Sequence, residues 1–147
     1  MSNIRFHDYR TIVFEQISTA IENHVEEVKD LLASQASRNS KSHSSDDTNH
    51  VTGRLSDSFT TDSLIEKNGK ETTAYIGSTV EYAPYYELGT GEYALYGNGR
   101  STPWVYYDAT LDRFFKTTGQ TPKRPLYHAW QQRQSVIKQM AEDALNI

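Results

Sequence analysis

Two pairs of acidic residues have a spacing that invites comparison with hydrolases, namely Glu81 with Glu87 and Asp108 with Asp112. Glycoside hydrolysis requires two carboxylates that face one cleft at a defined separation. Acids four residues apart, such as Asp108 and Asp112, usually lie together on a solvated face. The chain also lacks a G-x-S-x-G sequence, which places a nucleophilic serine on a sharp turn in many hydrolases. We therefore predict that this protein is not an enzyme and has no catalytic residue.

The sequence also gives little support for a metal or phosphate site. There is no cysteine, and no two histidines form an i, i+4 pair with a carboxylate on one helix, as a zinc site would require. Two glycine clusters occur, at residues 89–91 and 97–99, and Glu92 follows the first whereas Pro103 follows the second. A phosphate-binding loop would need a helix start and a cation at these places. We predict no metal and no cofactor. Turns with positive φ explain the clustered glycines better: Gly89, Gly91, Gly97 and Gly99.

Aromatic residues and glycines are concentrated in residues 79–122. This composition predicts short strands joined by shaped loops, and the lack of a reactive constellation favours a contact surface. A stacking platform for single-stranded nucleic acid is the alternative, because basic side chains flank the aromatic ones. The net charge of -4 argues against binding through bulk electrostatics. Packing and protein contact therefore explain the run better. The flanking basic residues are Arg100, Arg113, Lys116, Lys123 and Arg124.

The elements around this region follow from hydrophobic periodicity. Apolar residues that step by three or four predict one long amphipathic helix over residues 8–38. Residues 39–51 are rich in serine, asparagine and aspartate, which predicts a flexible linker with too little apolar surface to offset ordering entropy. A second stripe predicts a C-terminal helix over 125–146. The first helix has its stripe at Phe14, Ile17, Ile21, Val25, Val28 and Leu32.

Residues 52–122 are predicted to form a sheet and a long loop rich in glycine and tyrosine. Asn68-Gly69 is a strong turn signal between strands at 59–67 and 71–78. Two further strands are expected near 104–107 and 113–117. We therefore predict a single α+β domain over 1–147, in which both helices pack on one face of a roughly four-stranded antiparallel sheet. No apolar run approaches the roughly 18 residues of a membrane span.

Four short motifs occur in order and at close spacing: TGRLSDS at 52–58, IGS at 76–78, YAPY at 82–85 and ELGTG at 87–91. Their combination resembles the neck and tail-completion (head–tail joining) morphogenesis proteins of long-tailed bacteriophages. The resemblance extends over roughly residues 52–130. The last helix departs from the family's usual proline- and arginine-containing start and keeps only Leu126 and Ala129 of it.

The resemblance implies a non-enzymatic virion protein that acts in a ring after DNA packaging. Its implied partners are its own copies, a head-side connector or stopper and a tail-side terminator, with genomic DNA passing through the lumen without sequence-specific binding. A tail terminator that caps the tail tube is the nearest alternative, and a nucleic-acid-binding protein is the alternative from another class. The N-terminus lacks the apolar region of a signal peptide, so synthesis in the host cytoplasm is expected before incorporation into the virion.

Under this hypothesis, roles can be assigned to individual residues. Large aromatic side chains with a polar tip suit interfaces, so we predict partner contacts at Tyr93, Leu95, Tyr96 and Trp104. We expect Tyr82, Tyr85 and Leu88 to fold the bend around Pro84 onto the sheet, and Arg54 and Glu87 to clamp neighbouring elements. The remaining motif residues to which a structural role is assigned are Thr52, Gly53 and Leu55.

Overall fold

The protein is a mixed helical and β structure, described here from a computed structural model that covers residues 6–42, 53–109 and 111–146. In chain order, the described elements begin with one long helix and end with another. Two short helices, a 3₁₀ turn (Gly91–Tyr93) and four strands lie between them. The elements are α1 (Phe6–Ser42), α2 (Arg54–Thr61), β1 (Leu64–Asn68), β2 (Glu71–Tyr75), α3 (Ala83–Leu88), β3 (Trp104–Asp108), β4 (Arg113–Thr117) and α4 (Pro125–Leu145).

The long helix α1 continues beyond its predicted end at residue 38. Asn39 and Ser40 were assigned to the flexible linker, but they are buried in the last turns of α1. The Asn39 side-chain amide donates to the carbonyl oxygen of Pro125 at 3.1 Å. Polar composition was misleading here, because the Asn39 side chain finds an acceptor at the start of a neighbouring helix. Lys41 and Ser42 of the predicted linker also belong to α1, whereas its residues 43–51, and Thr52 after them, lie outside the described residues.

Helix α4 runs antiparallel to α1. Pro125, at the start of α4, lies beside Asn39, and the Arg133 Nε donates to the Gln35 side-chain oxygen at 2.9 Å. Further along, Met140 faces the earlier part of α1 around Ala20. Tertiary packing of this kind stabilises long helices more than residue propensity does.

The core lies where all four helices meet. The i, i+4 spacing of Leu55 and Phe59 predicts a helical turn with both side chains inward, and both are buried on α2. The prediction that a strand begins at residue 59 is therefore wrong, because α2 continues to Thr61 and β1 begins at Leu64. The buried cluster consists of Ala36, Leu55, Phe59, Val80, Tyr86 and Ala129.

The four strands form two separate antiparallel hairpins in the described residues, so the prediction of one four-stranded sheet is wrong. In the first hairpin Leu64 pairs with Tyr75 and Asn68 with Glu71, around the predicted Asn68-Gly69 turn. This β1–β2 hairpin packs beside α1, whereas β3–β4 packs extensively on no described helix. Because the hairpins are attached to different parts of the molecule, their edges do not pair.

Across the described ranges, none of the helices combines the length and the apolar character that crossing a membrane would require.

Candidate protein interface

A crossing of two backbone segments fixes the β3–β4 hairpin to the end of α3. The Thr90 N–H donates to the Gln120 carbonyl at 2.9 Å, and the Glu92 N–H donates to the Thr118 carbonyl at 3.1 Å. Gly91 has a φ of 63°, and a Cβ atom there would overlap the Thr118 carbonyl oxygen. Only glycine adopts this positive φ readily and also lacks the Cβ atom that would overlap the carbonyl oxygen. The crossing therefore requires glycine at position 91.

The other predicted loop-shaping glycines lie around the same crossing. Gly89 ends α3 with a φ of 74°, and Gly97 has a φ of 68° in a turn with open space around it. Gly99 has no positive φ, but a Cβ atom there would overlap the Gly91 carbonyl oxygen. The Leu95 N–H donates to the Leu88 carbonyl at 2.8 Å and holds the loop against α3.

Glu87 connects α3 to the start of α4. Its two carboxylate oxygens accept hydrogen bonds from the backbone N–H groups of Leu126 at 3.0 Å and Tyr127 at 3.1 Å. Arg124, which precedes the helix with a φ of 53°, provides no side-chain cap. The carboxylate therefore satisfies two free donors at a helix N-terminus, where a negative charge is also favourable. The missing Ser, Thr, Asp or Asn before Pro125 was the sequence signal for a cap supplied from elsewhere.

Arg54 has a separate role. Its guanidinium pairs with Glu81 at 3.5 Å on the surface, so Arg54 and Glu87 join two different pairs of segments. The preceding residue, Gly53, starts α2 in a left-handed conformation with a φ of 77°.

Asp62 joins the end of α2 to the segment before α3. Its carboxylate accepts hydrogen bonds from the Thr79 backbone N–H at 2.9 Å and from the Thr79 hydroxyl at 2.8 Å. These bonds favour the ionised form, so the pKa of Asp62 is lowered from its ordinary value of 3.8. The nearby Ser58 and Ser78 hydroxyls lie 2.6 Å apart and share a second polar contact between the same two segments.

The residues predicted to contact a partner are largely on the surface. Tyr96 is 74% exposed, and Tyr93 and Leu95 are also exposed. Trp104 is half-buried, with the Arg100 guanidinium 5.8 Å from its ring centre. Loops held by glycine contacts thus present large side chains to solvent.

Tyr82 and Tyr85 do not pack onto a sheet, and that expectation is wrong. Both are exposed, whereas their neighbour Tyr86 is buried and directs its hydroxyl to the Ser40 carbonyl at 3.4 Å. Consecutive helical residues point about 100° apart, so α3 can turn only one of its tyrosines fully into the core. Sequence reasoning did not single out Tyr86, although a short helix among aromatic residues needs one buried anchor.

An aromatic groove of about 600 Å³ lies between α3 and the inner face of the β3–β4 hairpin. The Tyr106 and Phe115 rings stack across the two strands at 5.8 Å and form part of its wall. Thr117 and Gln120 add polar groups at one side. The remaining aromatic lining is Tyr82, Tyr85 and Trp104.

The outer face of the same hairpin is also an exposed, largely apolar surface. Phe114 is 72% exposed and Val105 is 61% exposed. The Tyr107 ring packs against Phe114 at 5.1 Å, and its hydroxyl donates to Asp112, which raises the pKa of Tyr107 above 10.0. We did not predict these residues as contacts. Aromatic side chains at successive positions of both strands were the available signal, because they place apolar groups on both faces of an isolated hairpin.

The acidic residues considered for hydrolysis all take part in local contacts. Glu87 caps α4, Glu81 pairs with Arg54, and Asp108 accepts a hydrogen bond from the Leu111 N–H at 3.0 Å. Within residues 6–42, 53–109 and 111–146, no group of three His, Cys, Asp or Glu side chains is placed to hold a metal ion. These carboxylates therefore hold neighbouring segments of the fold together.

A scan against protein-family models finds no matching family, and searches of curated proteins and of solved structures find no similar protein. Function is therefore inferred from the ordered motifs and from the exposed aromatic surface.

Proposed function

We propose that this chain is a structural protein of a bacteriophage neck, which completes the head–tail joint after DNA packaging through protein–protein contacts in a ring. The observation that carries the proposal is the exposed aromatic surface of residues 93–116, held in shape by the glycine crossing rather than by a covering helix. Large contiguous apolar patches on a protein surface mark interaction sites.

The chemistry of this surface suits a permanent structural contact. Tyrosine and tryptophan provide a large contact area with few rotamers and keep a polar tip for hydrogen bonding. Tyr96 and Tyr107 are such groups, and the loop carrying Tyr96 is tied to α3 through the Leu95–Leu88 hydrogen bond. A preorganised surface loses little conformational entropy on binding. In the proposed joint these faces meet other copies, a head-side connector or stopper and a tail-side terminator.

In vitro complementation tests this role. Purified protein is mixed with DNA-filled heads and free tails from the phage that encodes it, grown without the gene, and infectious particles are counted. The proposal requires restored infectivity with the wild-type protein. Tyr96→Ala should reduce the yield without loss of fold, whereas Val136→Ala on α4, an exposed site outside the aromatic surface, serves as the matched control. Heads and tails that join normally without the protein would contradict the proposal.

Sedimentation separates the neck role from a tail terminator. A neck protein should sediment with filled heads in the absence of tails, whereas a protein that caps the tail tube should sediment with tails in the absence of heads. Each particle is therefore incubated separately with the protein before complementation.

A nucleic-acid-binding protein is a second candidate, because the Arg100 guanidinium lies near the Trp104 ring and Lys116 borders the aromatic groove. Binding of single-stranded DNA would have to weaken steeply with salt, since contacts to phosphate release counterions. The ring-protein proposal instead predicts little salt-sensitive binding of single-stranded DNA. Fluorescence anisotropy with a labelled oligonucleotide at low and high salt distinguishes the two.

A further inference from the structure

Burial changes along the single apolar stripe of α1. Leu32, in the C-terminal half, is buried, and Val25 and Val28 are partly buried. Towards the N-terminus the same stripe is exposed at Phe14, Ile17 and Ile21, which are spaced as i, i+3 and i+7. The apolar face of α1 therefore continues beyond the part that the other described residues cover.

Helix length explains why this part is uncovered. α1 has 37 residues and α4 has 21, so at 1.5 Å per residue they are about 55 Å and 31 Å long. Because α4 starts beside Asn39, near the C-terminal end of α1, the excess length lies at the N-terminal end. The turn of the β1–β2 hairpin lies beside this region, where the Lys70 ammonium is 5.2 Å from the Phe14 ring centre. Phe14 and Ile21 nevertheless remain 50% and 44% exposed.

The outer face of β3–β4 is the second uncovered apolar surface, and it is attached to the opposite end of α1. The hairpin joins α3 at the glycine crossing, and α3 is held near Ser40 by Tyr86. Ser18 and Ser40 are 22 helical residues apart, which corresponds to about 33 Å along the axis. The apolar side chains of this face are Val105, Tyr107 and Phe114.

The two ends also differ in charge. Residues 10–30 and 64–75, which form the α1 stripe and the β1–β2 hairpin, carry four basic and seven acidic side chains, a net charge of -3. Residues 91–124, which form the loop and the β3–β4 hairpin, carry five basic and three acidic side chains, a net charge of +2. Opposite charge beside apolar surface favours association of the two ends and opposes contact between like ends.

We propose that the outer face of the β3–β4 hairpin of one copy docks on the exposed N-terminal stripe of α1 in the next copy. Two different surfaces meet in this contact, so it is heterologous, and such contacts close into a ring when the rotation between copies permits. The inference deepens the proposed neck function and rests on it, because it names the surfaces through which copies contact each other around the ring.

Mixing two variants tests the contact directly. Ile17→Glu places a charge on the stripe and leaves the hairpin intact, whereas Phe114→Glu does the reverse. Wild-type protein and the control Val136→Glu should form an oligomer, and each of the two test variants alone should remain a monomer of 16.8 kDa. Their equimolar mixture should give a 1:1 complex of twice that mass by light scattering, because one functional contact remains and the two altered faces repel each other.

A monomeric wild type, or a mixture that stays monomeric while both variants keep the wild-type circular dichroism spectrum, would overturn the proposal.

Disulfide trapping tests the same contact if a glutamate variant fails to fold. The chain has no cysteine, so Ile17→Cys mixed with Phe114→Cys provides one defined pair of thiols. Oxidation should give mainly the mixed dimer, whereas Val136→Cys mixed with Phe114→Cys should not. Absence of the mixed dimer in the first pair would also overturn it.

The result can be separated from the outcome of complementation. Restored infectivity without contact between copies through these surfaces would reject this inference and retain the neck function. The 1:1 complex without restored infectivity would retain the contact and reject the neck function.

Discussion

Individual carboxylates hold the segments around the aromatic surface in position. Glu87 accepts two backbone hydrogen bonds at the start of α4, and Asp62 accepts two hydrogen bonds from Thr79. Charge-assisted bonds of this kind are stronger than neutral ones. The acids of this protein therefore have their clearest roles in connecting elements, and their effects should appear in stability measurements.

Removal of the Glu87 carboxylate should destabilise the fold. Glu87→Ala leaves the N–H groups of Leu126 and Tyr127 without their side-chain acceptor, and loss of a helix cap costs about 1–2 kcal/mol of unfolding free energy. Urea denaturation followed by circular dichroism measures the change. Glu92→Ala, at an exposed acid, is the control and should change stability by less than about 0.5 kcal/mol. Equal effects of both substitutions would contradict the capping role.

Asp62 should contribute to stability in a pH-dependent manner. The pKa of Asp62 is lowered in the folded state, so its contribution to stability is fully present above pH 3.8, the ordinary pKa of the group. The contribution is lost as the pH falls through the lower pKa of the folded state. The stability advantage of the wild type over Asp62→Asn should therefore shrink in acid. An NMR titration of the Asp62 carboxyl gives the folded pKa directly, and Thr79→Ala should raise it. A wild-type value at or above 3.8 would contradict the prediction.

At the scale of elements, the two hairpins differ in how they are held. β1–β2 packs beside α1, and the Lys67 ammonium donates to the Glu22 carboxylate at 2.6 Å. β3–β4 packs extensively on none of the described helices and depends on the glycine crossing at its base. Its position should therefore be sensitive to a change at Gly91 that Gly77, which has open space and no positive φ, tolerates.

A series of glycine-to-alanine substitutions tests this dependence. Gly91→Ala combines a positive φ with steric overlap and should be the most destabilising. Gly97→Ala has a positive φ in open space and should cost about 1–2 kcal/mol. Gly77→Ala has neither feature and should be neutral or slightly stabilising. Thermal unfolding gives the order, and a Gly91→Ala protein as stable as Gly77→Ala would refute the role of the crossing.

At the scale of the whole molecule, one small core joins all four helices. Ala36, Leu55, Tyr86 and Ala129 come from α1, α2, α3 and α4 in turn. The large apolar side chains of the β3–β4 outer face take no part in this cluster and remain exposed. Stability and assembly should therefore depend on separate sets of residues.

Two phenylalanine substitutions should separate these sets. Phe59 is 2% exposed, so Phe59→Ala should lower the free energy of unfolding by about 3–5 kcal/mol. Phe114→Ala removes an exposed ring of the same size and should have a much smaller effect on stability. Chemical denaturation of both variants provides the measurement. A large loss for Phe114→Ala would mean that the hairpin is part of the cooperative core.

Local patterns were sufficient to predict several elements. The i, i+3, i+7 periodicity indicated α1, the stripe after Pro125 indicated α4, and Asn68-Gly69 indicated the first turn. Each of these signals depends on residues close together in the chain, where steric and hydrophobic preferences act directly. The sequence by itself thus determined the long helices, the turn and the aromatic character of residues 79–122.

Only the tertiary structure decided which of those residues are covered. Asn39 is buried because Pro125 approaches it, Glu87 is a cap because α4 begins beside it, and Tyr86 rather than Tyr85 enters the core. The same applies to the two separate hairpins and to the exposed half of the α1 stripe. Burial depends on contacts between residues distant in sequence, and a local pattern shows that a face is apolar without showing what covers it.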